Sequence, residues 1–579
     1  MILQALTRHY EDLLRLGQIP RPGWSKAKVS YALDLGPDGQ LLGLFHLQAS
    51  VLRGKKTVLV PQELELPSQV KRSVGVAANF LCDHSGYLLG ADAKGNPQRT
   101  ADCFAAAKQL HLDLLGAVES PAARAVVSFF RRWDPACAAA HPCLQQDWDE
   151  LMKGGNLTFW YAGRPAAEDA LIRGAWQDHY GQSGAQQETA LCLVTGKRAC
   201  AARLHPSIKG VAGAQSVGAS LVSFNAPSFC SFEHEQGANA PVGEYAAFAY
   251  GSALNHLLAD RQHVCRAGDT TIVCWAEGGE PAYQDCLMSA MLSDSATEQD
   301  ILGALHRLVN SEPITWNDTL LSPDTQFYIL GLAPNAARLS VRFFWQNTFG
   351  ALAKNVERHY RDLEIMRPSF DPYPTLPLWR LLRETVNLKA RTPEPSPRLA
   401  GDLMQAVLTG SPYPATLLHG VMLRIRAERE VSRGRAAVVK AYYLRNSNNQ
   451  SLKEVMTVQL NEHSSYLPYV LGRLFSVLEE VQQQANPSIN TTIKDRYFNS
   501  ASATPALVFP QLLNLAQKHL AKLGAGKAIH YNKQITELTS LICETLPARL
   551  SLPEQGAFQI GYYHQTQKRF AKKEEQYHV

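Results

Sequence analysis

Val29-Ser-Tyr-Ala-Leu-Asp-Leu35 is followed by Gly36-Pro37-Asp38-Gly39 and then by Leu41-Leu-Gly-Leu-Phe-His-Leu47. Two apolar runs separated by an Asp-Gly turn signal predict a β-hairpin, because Asp and Gly tolerate the positive φ of tight hairpin turns. Residues 57–60, ahead of Pro61, read as a further strand. Upstream, residues 2–12 place Arg8, Glu11 and Asp12 among apolar positions, the pattern of an amphipathic helix rather than the apolar core of a signal peptide. Between residues 101 and 133 the spacing becomes helical, through Phe104, Leu110, Leu114, Val118, Val126, Val127 and Phe130. Ser120-Pro121 is a natural N-cap and first helical position, and it divides this stretch into two helices.

Residues 158–342 are Gly-rich and strand-like, with helices expected at 245–260 and 296–310. Residues 349–363, 376–388 and 399–408 then have helical periodicity. Pro393, Pro395 and Pro397 make residues 391–398 a linker, since proline removes the donor a helix needs. Residues 413–577 read as consecutive helices broken at Pro487, Pro510, Gly524 to Gly526 and Pro553. The expected fold class is α+β: an N-terminal mixed α/β domain with antiparallel strands, followed by a C-terminal all-α helical bundle. The expected division is 1–340, a helical connector 341–455 and a bundle 456–579. A chain of 579 residues has room for several domains.

The 57 Lys and Arg residues against 52 Asp and Glu give a net charge of only +5, too small to identify a polyanionic partner. Position is more informative. Residues 417–445 carry Arg424, Arg426, Arg429, Arg433, Arg435, Lys440 and Arg445 against Glu428 and Glu430, a local surplus equal to that of the whole chain. Arg426, Arg429 and Arg433 recur at helical steps and are expected to line one side of a helix, as a phosphate backbone would require. The competing reading is a solvated helix face. Farther on, Lys494, Arg496, Lys518, Lys522, Lys527, Lys568 and Arg569 fall near Tyr497, Phe498, Tyr562, Tyr563 and Phe570. That combination fits either a stacking groove for a single strand or ordinary bundle core.

The eleven cysteines are odd in number and irregularly spaced, which points to reduced thiols and a cytoplasmic protein. The longest uncharged stretch, residues 210–232, contains serines, Gln215, Asn225 and Pro227 and does not read as a membrane span. Enzyme motifs fail on inspection. Gly196-Lys197 and Gly526-Lys527 are followed by Arg198 and Ala528, where a phosphate loop needs Ser or Thr for magnesium. Cys137, His141 and Cys143 could hold a metal, but no fourth ligand is close in sequence. Glu233 and His234 could supply acid and base, and together with the cysteine cluster they define the alternative, a metal-dependent nuclease or hydrolase. No cofactor is implied, and the expected role is non-enzymatic.

A polar, small-residue block is the unusual feature. It runs through Cys192-Leu-Val-Thr-Gly-Lys197, Arg203-Leu-His-Pro-Ser-Ile-Lys-Gly-Val211, Ser223-Phe-Asn-Ala-Pro-Ser-Phe229 and Gln236-Gly-Ala-Asn239. Small residues allow close backbone approach, amides can read base edges, and Lys or Arg can hold phosphates. A Gly-rich loop system packed within a β domain would have the same composition.

These blocks carry a resemblance. Together with Ile2-Leu-Gln-Ala-Leu-Thr-Arg-His-Tyr10, Gly331-Leu-Ala-Pro-Asn-Ala-Ala-Arg338, Asp495-Arg-Tyr-Phe498, Ser500-Ala-Ser-Ala-Thr-Pro505 and Gly561-Tyr-Tyr-His-Gln565, the chain resembles the large subunit of the type I-C CRISPR surveillance complex, Cascade, along essentially its whole length. The resemblance implies a non-catalytic protein of antiviral defence. Its N-terminal domain would recognise the protospacer-adjacent motif in duplex DNA and help open it, while guide pairing reads the sequence. Its C-terminal bundle would resemble the small subunit, and the chain would help recruit the helicase-nuclease. Implied partners are duplex and displaced single-stranded DNA, CRISPR RNA, and the backbone, guide-end-binding and small subunits. Residues suited to motif reading are Asn225, Gln236, Asn239 and Asn79. Residues suited to the backbone are Lys26, Lys28, Lys55, Lys56, Lys71, Arg72, Lys197, Lys209, Arg424, Arg426, Arg429, Arg433, Lys494 and Arg496. Met456 is the last methionine and a candidate start for a separate small subunit made from the same reading frame.

Overall fold

The computed structural model describes residues 1–53, 56–70, 75–93, 96–182, 189–292, 298–542 and 545–570. The Asp-Gly signal closes a hairpin: strands Tyr31–Leu35 and Leu41–His46 pair antiparallel, with Tyr31 opposite His46. Tyr31–Leu35 also pairs in parallel with Asn156–Tyr161, which continues to Cys82–His84. Helices Pro97–Leu115 and Pro121–Arg132 belong to the same core, where Phe104, Phe129, Phe130 and Phe159 are buried. Between the two helices, Ser120 caps the second by accepting from the Ala123 N–H at 3.2 Å.

A second sheet has the order Trp24–Val29, Lys56–Pro67, Gln48–Arg53. Pro61 does not end its strand. It lies opposite Gln48 on one neighbour, while the next residue, Gln62, opposes Val29 on the other. The strand therefore changes partner at the residue that has no N–H to give. The N-terminal helix Ile2–Arg15 buries Tyr10 and Leu13 with Ala249 and Ala253. The helix Ala170–Gln182, absent from the sequence reading, buries Ile172 and Trp176 in the first core.

The chain forms two compact units, one of Met1–Pro206 with Val222–Leu254 and one of Ser207–Leu221 with Asn255–Val579. The second holds a six-stranded sheet in which Arg338–Thr348, Gln326–Asn335 and Thr270–Ala276 are consecutive antiparallel neighbours. The boundary expected at residue 340 falls inside Arg338–Thr348. Nor is there a gap in packing at residue 456. A single core runs from Ile272 and Phe327 through Leu352 and Val421 to Phe475 and Phe558, and Met456 is buried in it. The fold is α+β, as expected, but sheet and helices share that core.

Helices Pro397–Thr409, Ala415–Glu428, Arg433–Asn446, Leu467–Ala485, Ile493–Ala503, Pro505–Leu520, Ala525–Ser540 and Leu552–Lys568 account for most of the C-terminal stretch. Pro510 lies inside Pro505–Leu520 and does not break it, and Pro553 sits in the first turn of its helix, where the missing donor costs nothing. The expected helix at 376–388 is limited to Leu378–Arg383. Among the described residues no helix is long and apolar enough to cross a membrane, and Cys82, Cys103, Cys137, Cys143, Cys192, Cys200, Cys230, Cys265, Cys274 and Cys286 are free.

The closest helix pairing joins Leu467–Ala485 to Leu552–Lys568. Gly472 faces the Phe558 carbonyl and Gly561 faces the Tyr469 carbonyl, so a methyl at either position would overlap backbone. Gly472→Val should destabilise the chain by about 1–3 kcal/mol through overpacking, measured by urea denaturation.

After helix Glu244–Ala259, the half-exposed carboxylates of Asp260 and Asp285 each take one ring nitrogen of the nearly buried His263, both at 2.6 Å. Burial alone would lower this imidazole's pKa, but its bonds to Asp285 and Asp260 raise it above the ordinary value. The stabilisation is complete below the unfolded value of about 6.5 and is lost as pH rises through the higher folded pKa. Thermal unfolding between about pH 6 and 9 should show wild-type protein losing stability with rising pH more steeply than His263→Gln.

Candidate nucleic-acid interface

Most of the polar block folds into one neighbourhood of the first unit, while residues 207–211 belong to the second. Cys192 starts a tight turn in which its N–H donates to the Lys197 carbonyl at 2.9 Å and its carbonyl accepts from Gly196 at 2.9 Å. The buried Cys192 sulfur accepts from the backbone N–H groups of Thr195 at 3.4 Å and Gly243 at 3.1 Å. Burial acts to raise this thiol's pKa, yet the bonds donated by Thr195 and Gly243 bring it below the ordinary value. Leu193 donates to Pro241 and Ala202 to Val242, so this turn is laced to the end of the Ser223–Asn239 block. Gly237 donates to the Arg203 carbonyl and packs so closely on the Ala202 carbonyl that no side chain would fit. Lys197, Arg198 and Arg203 are exposed around this base.

The amides expected to read bases are largely spent in building the loop. Asn239 accepts from the Ser231 N–H at 2.9 Å and donates to the carbonyls of His234 and Gln236, each at 3.0 Å. Gln236 is half-buried at positive φ. Asn225 is exposed. Asn79 is buried: its side chain accepts from the Val70 N–H at 2.8 Å, and its own N–H donates to Asp83. Asn79 and Asn239 are thus loop-building residues, because an amide that joins a carbonyl to an N–H suits tight turns as well as bases.

Lys26 and Lys28 point outward from their strand, directly opposite Glu65 and Glu63 on the neighbouring one. Carboxylates thus oppose both lysines across the strands, although Glu65 itself bonds Arg173 at 2.7 Å. Lys55, Lys71 and Arg72 lie outside the described residues, as does the side chain of Lys56. Lys209, in the second unit, is exposed, and its N–H is held by Asn255 at 2.8 Å.

The Arg-rich stretch corrects the sequence reading most. Arg426, Arg429 and Arg433 do not share a helix: Ala415–Glu428 ends at Arg429, which takes the left-handed cap conformation at φ 56°, and Arg433 starts the next helix. Arg433 is buried, bonded to Asp371 at 3.1 Å and to the carbonyls of Tyr373 and Pro374. Arg435 pairs with Glu428 and with Glu384, Lys440 donates to the Asp362 carbonyl at 2.9 Å, and Arg445 pairs with Asp362 at 2.9 Å. Burial brings the Lys440 ammonium down to about 8. Arg424 pairs with Glu428, while Arg426 is exposed and donates to Gln555. Most of this stretch is internal wiring.

Exposed charge without carboxylates lies farther along. Residues 496–536 contain Arg496, Lys518, Lys522, Lys527 and Lys533 and no Asp or Glu, and all five cations are exposed. Lys522 reaches Asn486 at 3.4 Å and Lys527 reaches Gln484 at 3.0 Å, neutral partners at the C-terminal end of Leu467–Ala485. Lys494 is half-buried nearby, in the first turn of Ile493–Ala503. The aromatics once paired with these bases are core: Phe498, Tyr562 and Tyr563 are buried, and of the group only Phe570 is exposed. Lys568 pairs with Glu462 and Arg569 with Glu480. The acid-free run was visible in the sequence as an absence of carboxylates rather than as a cluster of bases.

The proposed metal chemistry finds no constellation. Cys137 donates to Asp134, His141 accepts from the Cys143 N–H, and Cys143 donates to the Leu41 carbonyl. Among the described residues no three His, Cys, Asp or Glu side chains are grouped to hold a metal.

The model of the Cas_Csd1 family of CRISPR-associated proteins matches residues 6–570. The chain belongs to that family. A search of curated proteins finds no match. Family membership makes the chain a CRISPR-associated protein, and the two surfaces just described are where a Cas_Csd1 protein of this sequence offers groups suited to a nucleic acid.

Arg433→Ala should cost about 3–5 kcal/mol, because it strips one of the two guanidinium partners from a buried Asp371 carboxylate. Arg426→Ala should cost under about 1 kcal/mol, as an exposed side chain does. Parallel denaturation curves of the two variants check the contrast.

Proposed function

We propose that this Cas_Csd1 protein is the non-catalytic large subunit of a type I-C surveillance complex. On this reading the first unit recognises a short motif in duplex DNA and assists its opening. The second unit holds the displaced strand on the surface formed by residues 496–536 and supports recruitment of the helicase-nuclease. The observation that carries the reading is the run of five exposed cations with no carboxylate among residues 496–536. The ammonium groups of Lys522 and Lys527, bonded to the neutral amides of Asn486 and Gln484, keep their charge available for phosphates, while Lys533 pairs with Glu537 just past the run. The nearly uncharged loop system around Cys192 and Asn239 adds close backbone approach, which a motif reader needs.

The test uses the assembled complex with labelled duplexes. Motif-bearing DNA should bind more tightly than motif-free DNA at fixed salt. Combining Lys522→Ala with Lys527→Ala should reduce the slope of log affinity against log salt by about 0.7–0.9 per lysine removed, equally for both duplexes. Equal affinity for the two duplexes in the wild-type complex would remove the proposed function.

A further inference from the structure

Residues 231–234 form the most strained turn in the polar block. Phe232 and Glu233 both have positive φ, 53° and 61°, and the His234 N–H donates to the Ser231 carbonyl at 3.0 Å. This is the pattern of a type I′ turn, whose two central positions favour Gly, Asn or Asp. A phenylalanine and a glutamate here accept a steric penalty that a glycine would avoid. The turn is nonetheless fixed from below. Asn239 bonds the Ser231 N–H, the His234 carbonyl and the Gln236 carbonyl at once, all within 3.0 Å.

What this arrangement displays is a ring. Phe232 is 91% exposed, more than any other large hydrophobic side chain among the described residues, and Phe229, three positions earlier, is 41% exposed. An exposed ring gains nothing from folding, and the three bonds from Asn239 hold the turn despite its backbone strain. Strain held this firmly, at an exposed tip, points to a partner met outside the chain.

The neighbouring charges say which kind. Glu233 and Glu235, both exposed, follow Phe232 in sequence and disfavour phosphates at the tip. Lys197, Arg198 and Arg203 are exposed on the segments laced to the base of the loop. A strand whose phosphates lie at that basic foot would present a neutral, flat base, not its backbone, to the tip. We propose that Phe232 is a stacking residue for an unpaired nucleobase beside the recognised motif, and that Asn239 is the positioning residue that holds the ring out. The inference deepens the function proposed above and rests on it.

The experiment uses the complete complex and a target duplex with 2-aminopurine at the first pair beside the motif. In wild-type complex, opening changes the 2-aminopurine fluorescence. Phe232→Ala should slow that change roughly tenfold and weaken binding of a duplex with a pre-opened bubble at that position by a similar factor, in line with the stacking worth of one base. Phe232→Trp should restore opening, whereas Phe232→Leu should behave like Phe232→Ala. Asn239→Ala should slow opening similarly and also speed hydrogen exchange at residues 231–236, which Phe232→Ala should not do. Opening by Phe232→Ala at the wild-type rate overturns the inference alone. Loss of a protein subunit from the Phe232→Ala complex on gel filtration also overturns it, by making the ring a protein anchor. A wild-type complex that opens no duplex overturns the DNA-binding reading and this inference with it.

Discussion

Asp371 accepts two guanidinium groups at once, from Arg380 at 2.7 Å and from Arg433 at 3.1 Å, with its carboxylate almost fully enclosed. Burial alone would raise this acid, but the bonds from Arg380 and Arg433 hold it at about 2. Its two partners begin or lie in different helices, Leu378–Arg383 and Arg433–Asn446, and Arg433 also closes on the carbonyls of Tyr373 and Pro374. A single carboxylate thereby fixes a connecting segment and two helices. Buried ion pairs of this kind add little net stability over an apolar replacement, because desolvation consumes much of the Coulomb gain. Their effect lies in the alternatives they forbid: any other packing of these helices would leave a charge buried without its partner.

The same constraint extends along Arg433–Asn446. Arg435 meets Glu384 and Glu428, Lys440 caps the end of Phe349–Leu363 through the carbonyls of Arg361 and Asp362, and Arg445 pairs with Asp362 while lying 4.0 Å over the Tyr413 ring. The helix is buried on nearly every side, which is why it lacks an amphipathic stripe despite its many cations. A local surplus of five positive charges is thus largely neutralised inside the second unit.

What the sequence revealed follows the range of the interaction. The hairpin at Asp38-Gly39 and the cap at Ser120 depend on a few consecutive residues, and both form where their spacing predicts. Glu384, Asp371 and Asp362 lie 51, 62 and 83 residues from Arg435, Arg433 and Arg445, so no local pattern could assign those pairs. The site amides failed for another reason. Asn79 and Asn239 have the chemistry of base readers, but the same donor and acceptor suit a tight turn, and only tertiary placement decides between the two uses. Pro510 broke a rule that is statistical: burial of Val508, Phe509 and Leu512 on either side holds the helix through a missing donor.

Two kinds of surface remain once the internal pairs are removed, and they would answer to solvent differently. On the proposed reading the cations of residues 496–536 act through charge, which salt screens over about 8–10 Å and which cannot tell one base sequence from another. The turn at Phe232 and Glu233 acts through shape, held by neutral hydrogen bonds that salt barely affects. On the proposed reading, added salt would weaken the grip on the backbone while leaving discrimination at the motif intact. A chain with a net charge of only +5 is well suited to that separation. A uniformly basic surface would hold any duplex too firmly to release the many sites lacking the motif, whereas on the proposed reading a few exposed cations in one unit and a rigid reader in the other would let sequence decide how long the protein stays.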